Sequence, residues 1–305
     1  MIRRPVVAGQ FYPGTKDELE EMIDYCVQHK YGPGDQTQKD EKIFGIISPH
    51  AGYVYSGPTA CHSYKAISSK NPELVIILGP NHFGVGRDVA TMIDAKWETP
   101  LGLVEVDSEA AKEISNISKY IEIDEFSHSR DHSLEVQIPM LQSMLSNEFK
   151  ILPIILLEQG LEMARDVGNA VAEIVKSRNA MIVASSDFTH YEENSFAHSQ
   201  DKALIEPILE MDVERFYQVL MEKRVTACGY GAMASTMVAC KKLGATRGEL
   251  LSYATSGDVQ GDTSRVVGYG SIKFIWLQMQ SIFYQISQVE EQIHNLIDFW
   301  FQLFL

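Results

Sequence analysis

The stretch "VIILGPNH" (residues 75–82) is an unbroken apolar run that stops at Gly-Pro and is followed at once by a histidine. A short, uniformly apolar, β-branched run bounded by turn residues reads as a strand buried on both faces. Gly79 and Pro80 punctuate it, since proline has a fixed φ and no N–H for a ladder. The same order of events occurs at "FGIISPH" (44–50) and "MIVASSDFTH" (181–190). Three buried strands that each run out beside an imidazole indicate the architecture and locate the chemistry.

Outward from these runs, β-branched segments alternate with amphipathic ones, the pattern of an α/β sheet covered by helices on both faces. Strands are expected at 43–48, 74–79, 103–107, 150–156, 180–186, 249–256 and 266–272. Helices are expected at 16–29, 57–69, 108–117, 133–146, 161–177, 199–222 and 229–243. The polar stretch 31–42 reads as a loop before the first core strand, and "SGDVQGDTSR" (256–265) as a polar loop, either a lid or a long hairpin turn. No linker or repeat divides the body, so one domain is expected over residues 1–274.

The chain has 305 residues, 45% hydrophobic and 22% charged, enough to bury a large core. Its 26 basic against 41 acidic residues give a formal net charge of -15. With no basic cluster, a nucleic-acid partner is not expected. No signal-peptide h-region or membrane-length apolar run is evident, and the four cysteines lack CxxC spacing. A cytoplasmic protein with reduced thiols is the expectation.

Residues 275–305 differ in character. They contain no Gly, Pro, Lys or Arg, and Ile275, Met279, Ile282, Ile286, Val289, Ile293, Leu296 and Trp300 recur at alternating four- and three-residue intervals. This seam reads as an amphipathic helical extension that packs on its own domain or joins copies into a homo-oligomer.

In open α/β sheets, ligands sit beyond the carboxyl ends of strands. His50, His82 and His190 fall just past three such ends, so one pocket can gather them, and neutral imidazoles suit a divalent transition metal. Taken singly, each is as readily a hydrogen-bonded structural histidine. Cys228, immediately before a helix, is a candidate ligand or nucleophile whose thiolate a helix N-terminus would favour, or else a small buried hydrophobe. Packing is the expected role of Cys26, Cys61 and Cys240, and of Met233 and Met237. Asp187 either orients an imidazole, ligates metal or caps a turn. In "HSRDHSLEVQIPML" (128–141), His128 and His132 lie four apart without the glutamate of HExxH, so the segment reads as a loop entering a helix capped by Asp131. His132 lines the pocket on this reading; His128, His29, His62, His198 and His294 are surface or packing residues.

"AGQFYPG", "SPHAGYVYSGPTACHSY", "ILGPNHFG", "DHSLEVQIPML", "SSDFTHY", "CGYGAM" and "GYGSI" follow one another over residues 5 to 274. This ordered set resembles the Memo family, in its prokaryotic branch called AmmeMemoRadiSam system protein B. The resemblance implies a single α/β domain with a central mixed sheet, similar to the class III extradiol dioxygenases. Those are non-haem iron enzymes with two histidine ligands, one glutamate ligand and an acid/base histidine. By motif, the resemblance makes His50 and His82 the ligand histidines and His190 the additional active-site histidine. It makes Asp187 a pocket aspartate and puts Cys228 where the dioxygenases have glutamate. A thiolate in place of a carboxylate softens the site toward copper or thiolate-ligated iron, so ring cleavage does not carry over. The implied function is a metal-binding redox protein, with a radical-SAM pathway partner suggested by the branch name. Two other readings stand beside it: a scaffold binding a small molecule or peptide in the same pocket, and a Cys228–His190–Asp187 hydrolase.

Overall fold

The structure, a computed structural model, describes residues 1–35 and 41–276. Strands are β1 (Ile2–Arg3), β2 (Ile43–Ser48), β3 (Leu74–Pro80), β4 (Val89–Thr91), β5 (Lys96–Thr99), β6 (Gly102–Glu105), β7 (Ile121–Ile123), β8 (Lys150–Leu156), β9 (Ala180–Ser185), β10 (His190–Glu192), β11 (Arg247–Thr255) and β12 (Val266–Ile275). The α-helices are α1 (Lys16–Gln28), α2 (Tyr53–Ile67), α3 (Ser108–Ile117), α4 (Gln137–Met144), α5 (Leu161–Lys176), α6 (Asn194–Leu209), α7 (Val213–Lys223), α8 (Tyr230–Leu243) and α9 (Ser256–Gln260).

The main sheet is mixed and runs β10-β12-β2-β9-β3-β8-β4-β7, with β11 also paired to β12. Its centre, β2-β9-β3-β8, is parallel, while β12 and β4 pair antiparallel to its flanks. Period-two alternation divides the central strands between two cores. Val75 and Ile77 pack with α1, α2 and α4, whereas Ile76 and Leu78 pack with α3, α5 and α8. Because β2, β3 and β9 are parallel, Ser48, Pro80 and Ser185 end at the same sheet edge, and the residues after them share one site.

Several boundaries differ from the sequence expectation for local reasons. The expected helix 199–222 is two helices, broken where Met211 adopts φ 56° and Asp212 caps α7 by accepting from the Arg215 N–H. Helix α2 starts at Tyr53, four residues early, with Pro58 inside it. Pro58 has no N–H to offer the Val54 carbonyl, which instead accepts from Gln260 Nε2 at 2.7 Å. The stretch 256–265 contains α9, started by a capping box between Thr255 and Asp258. The expected strand 103–107 is β6, in a separate sheet of order β1-β5-β6. Ile275, assigned above to the helical seam, is the last residue of β12, opposite Arg247 and Ile43. The rest of that seam lies outside the described residues. Among the described residues, no helix is long and apolar enough to cross a membrane.

The N-terminal segment is tied to residues 131–137 by buried charge. Glu135 accepts from the Val6 and Val7 N–H groups and from Tyr12 Oη, and pairs with Arg3 at 2.6 Å. Arg3 also donates to the carbonyls of His128 and Asp131, and lies over the Trp97 ring. Removing one partner of a buried pair strands the other, so Glu135→Ala should cost about 3–5 kcal/mol in urea unfolding; a loss below about 1 kcal/mol would refute this anchoring role. His128 is buried beside Arg3, and burial followed by that cation pushes its imidazole from 6.5 down to about 3. The unfolded chain takes up a proton that native His128 refuses, so this group costs stability as pH falls from 6.5 toward 3, by up to ~1.4 kcal/mol per pH unit. Replacing His128 by Phe should flatten the fall in urea midpoint between pH 7 and pH 5; unchanged slopes would assign that fall to other groups.

Candidate metal and proton-transfer site

His50, two residues beyond β2, is 2% exposed. Its Nδ1 lies 2.8 Å from Ser185 Oγ and its Nε2 lies 3.2 Å from Cys228 Sγ. His82, two residues beyond β3, is held twice by Asp131 Oδ2, through its backbone N–H at 2.7 Å and its Nδ1 at 3.0 Å. A carboxylate accepts, so Nδ1 carries the proton and Nε2 is left as the donor atom. His132 completes the cluster: His50, His82 and His132 each place a ring nitrogen within 4.8 Å of the others.

Ring orientation separates the three. His50 stands at 82° to His82 and 86° to His132, whereas His82 and His132 are 16° from parallel, with centroids 4.6 Å apart. An imidazole nitrogen donates within its own ring plane. Two parallel, stacked rings therefore cannot both aim at one ion unless one of them turns. The arrangement suits His50 with one member of the stacked pair, while Cys228 lies against His50. Phe11 packs on His132 at 4.6 Å.

Asp187 is 4% exposed and accepts from the backbone N–H groups of His50 and Ala51 at 2.8 and 3.3 Å. Its own N–H points at Cys228 Sγ, at 3.4 Å. Gly229 permits this approach, since a Cβ there would stand 2.4 Å from the Ser185 carbonyl oxygen. His190 opens β10, and its Nδ1 meets the carbonyls of Phe188 and Thr226 at 2.7 and 2.9 Å. Carbonyls only accept, so Nδ1 is protonated and a neutral His190 keeps Nε2 free to take a proton.

Burial, then the charges of His82 and His132, push His50 well below its ordinary value. Burial and His82 lower His132 to about 4. Both rings are neutral near pH 7, as ligands must be. Burial raises the Asp131 carboxyl, but hydrogen bonds and charge from His82, with Ser133, more than reverse it and hold the group well below the carboxylate range. Asp187 is raised by burial against the pull of His190. Cys228 corrects the sequence reading: burial and then Asp187 push the thiol far up, so it is protonated in the metal-free protein despite the helix that follows. Metal coordination deprotonates a thiol outright, so the donor set of neutral imidazoles and one thiol still fits a soft or borderline ion.

A family profile described as Memo-like protein matches residues 3–273. The chain belongs to the Memo family. A MEMO1 family protein of Nitrosopumilus maritimus is 84% identical over 275 residues, spanning 90% of this chain and 100% of that one. One from Methanopyrus kandleri is 45% identical over 280 residues, spanning 90% of this Memo chain and 99% of its own. The crystal structure of the uncharacterized protein JW3007 from Escherichia coli K12 shares the fold, with a TM-score of 0.53 at 11% identity, over 76% of this chain and 99% of that one.

The structure brings His50, His82, His132, Cys228 and Asp187 of this Memo chain into one neighbourhood, and His190 adjoins it through the carbonyls of Phe188, next to Asp187, and Thr226, two residues before Cys228. Cys26, Cys61 and Cys240 are buried, as expected for packing. His62 meets the Tyr31 carbonyl and His198 pairs with Asp258, while His294 lies outside the described residues. Sequence reasoning missed Asp131 as the partner of His82, because an aspartate before a helix also reads as a cap. It accepts from Ser133 instead, and α4 begins only at Gln137. Ser185 and Gln137 were missed as well; their signal is polarity inside otherwise apolar runs.

If Asp187 helps hold Cys228 as a thiol, Asp187→Asn should speed iodoacetamide alkylation of Cys228 in metal-free protein several-fold at pH 7.5. Equal rates would mean that burial alone sets the thiol.

Proposed function

We propose that this Memo-family chain is a metal-dependent redox protein whose pocket binds one iron or copper ion through His50, His82 and Cys228. The observation that carries the reading is convergent: two orthogonal imidazoles have their outer nitrogens engaged by Ser185 and Asp131, while a thiol lies 3.2 Å from the inner nitrogen of His50. Three separate elements supply these donors. Such outer partners are the usual companions of metal-binding histidines. When bound, the ion would supply Lewis acidity and redox chemistry to a small molecule or peptide in the pocket.

The chain's own residues do the rest. His190, clamped through Nδ1, moves a proton at Nε2. Asp187 holds the His50 backbone and counters positive charge on His190. His132, stacked on His82, supplies a neutral imidazole beside the ligands. The hydrolase alternative fares worse: Cys228 contacts His50 and not His190, whose Nδ1 is engaged by carbonyls instead of Asp187.

Elemental analysis of anaerobically purified protein tests the proposal. Stoichiometric iron or copper is expected in the wild type, with loss in His50→Ala and Cys228→Ser and retention in His190→Ala. No metal after anaerobic reconstitution would overturn it in favour of a ligand- or peptide-binding scaffold. Full retention in Cys228→Ser would remove the thiol from the ligand set.

A further inference from the structure

We propose that Ser185, itself held by Gln137 and Ser133, is the positioning residue that fixes His50 as the Nδ1–H tautomer and so presents a bare Nε2 to the site. A serine hydroxyl has one proton to give. Ser185 Oγ lies 2.6 Å from the Ser133 carbonyl, which can only accept, so that proton is committed there. Gln137 Nε2 lies 2.7 Å from the same Oγ and 3.0 Å from the Pro49 carbonyl. The Pro49 carbonyl also can only accept, which sets the amide's orientation: nitrogen toward Pro49 and Ser185, oxygen toward the Tyr64 hydroxyl. Gln137 therefore donates to Ser185.

With its proton spent and one lone pair filled, Ser185 Oγ can only accept from the remaining neighbour, His50 Nδ1 at 2.8 Å. The imidazole must carry its proton on Nδ1. Nε2 is then an unprotonated lone pair 3.2 Å from Cys228 Sγ, where it accepts the S–H in metal-free protein. Ser185, Ser133 and Gln137 are all buried, so water does not compete for these hydrogen bonds. His82 reaches the same tautomer by a different device, a carboxylate; for His50 a neutral relay does this work and leaves the buried ring uncharged.

The consequence for metal rests on the function proposed above, but the tautomer does not. The first measurement is a long-range proton–nitrogen spectrum of histidine-labelled, metal-free full-length protein, with His50 identified by His50→Gln. The Nδ1–H pattern is expected for His50 in the wild type, in Cys228→Ala, which removes the facing thiol, and in Ser185→Thr, which keeps the hydroxyl. Ser185→Ala should shift His50 toward the Nε2–H form and weaken zinc binding, read by competition with a chromophoric chelator, about 10–100-fold. An Nε2–H His50 in the wild type overturns the proposal even if Ser185→Ala fails to fold. So does a folded Ser185→Ala that keeps the Nδ1–H pattern. Zinc that fails to bind wild-type protein of the expected tautomer would count against the metal site and leave the positioning role standing.

Discussion

An imidazole buried at the end of a strand must satisfy two nitrogens with little water at hand, and this constraint shapes the site. Each nitrogen left unpaired in the interior costs on the order of 1–3 kcal/mol. For the buried His50 the acceptor is Ser185; the more exposed His82 and His190 use the same device, through Asp131 and a pair of main-chain carbonyls. In these three rings Nδ1 is occupied, and Nε2 of His50 lies against Cys228 Sγ. On the function proposed above, Nε2 is the atom through which these rings would act.

Residues 131–137 link that constraint to the rest of the fold. Asp131 grips His82, His132 stacks on it, Glu135 binds the N-terminal segment, and Gln137 reaches Ser185. These polar side chains reach different neighbours from a turn that leads into α4, in which the Val136 N–H donates to the His132 carbonyl. The segment is held from outside by Arg3, which donates to the Asp131 carbonyl while pairing with Glu135. The N-terminal residues thus belong to the support of a site to which they contribute only the Phe11 ring.

The central strands were legible because buried parallel strands leave an unmistakable apolar run. The expected 43–48, 150–156 and 180–186 meet β2, β8 and β9 almost residue for residue. The edges were less legible. Strands β4, β7 and β10 are three residues long and owe their existence to neighbours rather than to their own pattern. The kink at Met211 is equally silent in the periodicity, since the apolar spacing continues across it.

The sequence by itself determined that three imidazoles follow three buried strands, and ordered motifs alone were enough to suggest the Memo family. Strand direction then turned that spacing into proximity. What only the tertiary structure decided is which partner each side chain takes. Asp131 serves His82 instead of capping a helix, Cys228 lies against His50 instead of His190, and burial beside Asp187 keeps its thiol protonated against the pull of the following helix. Partner choice depends on distance and desolvation between residues up to 178 positions apart, and neither quantity is carried by local sequence.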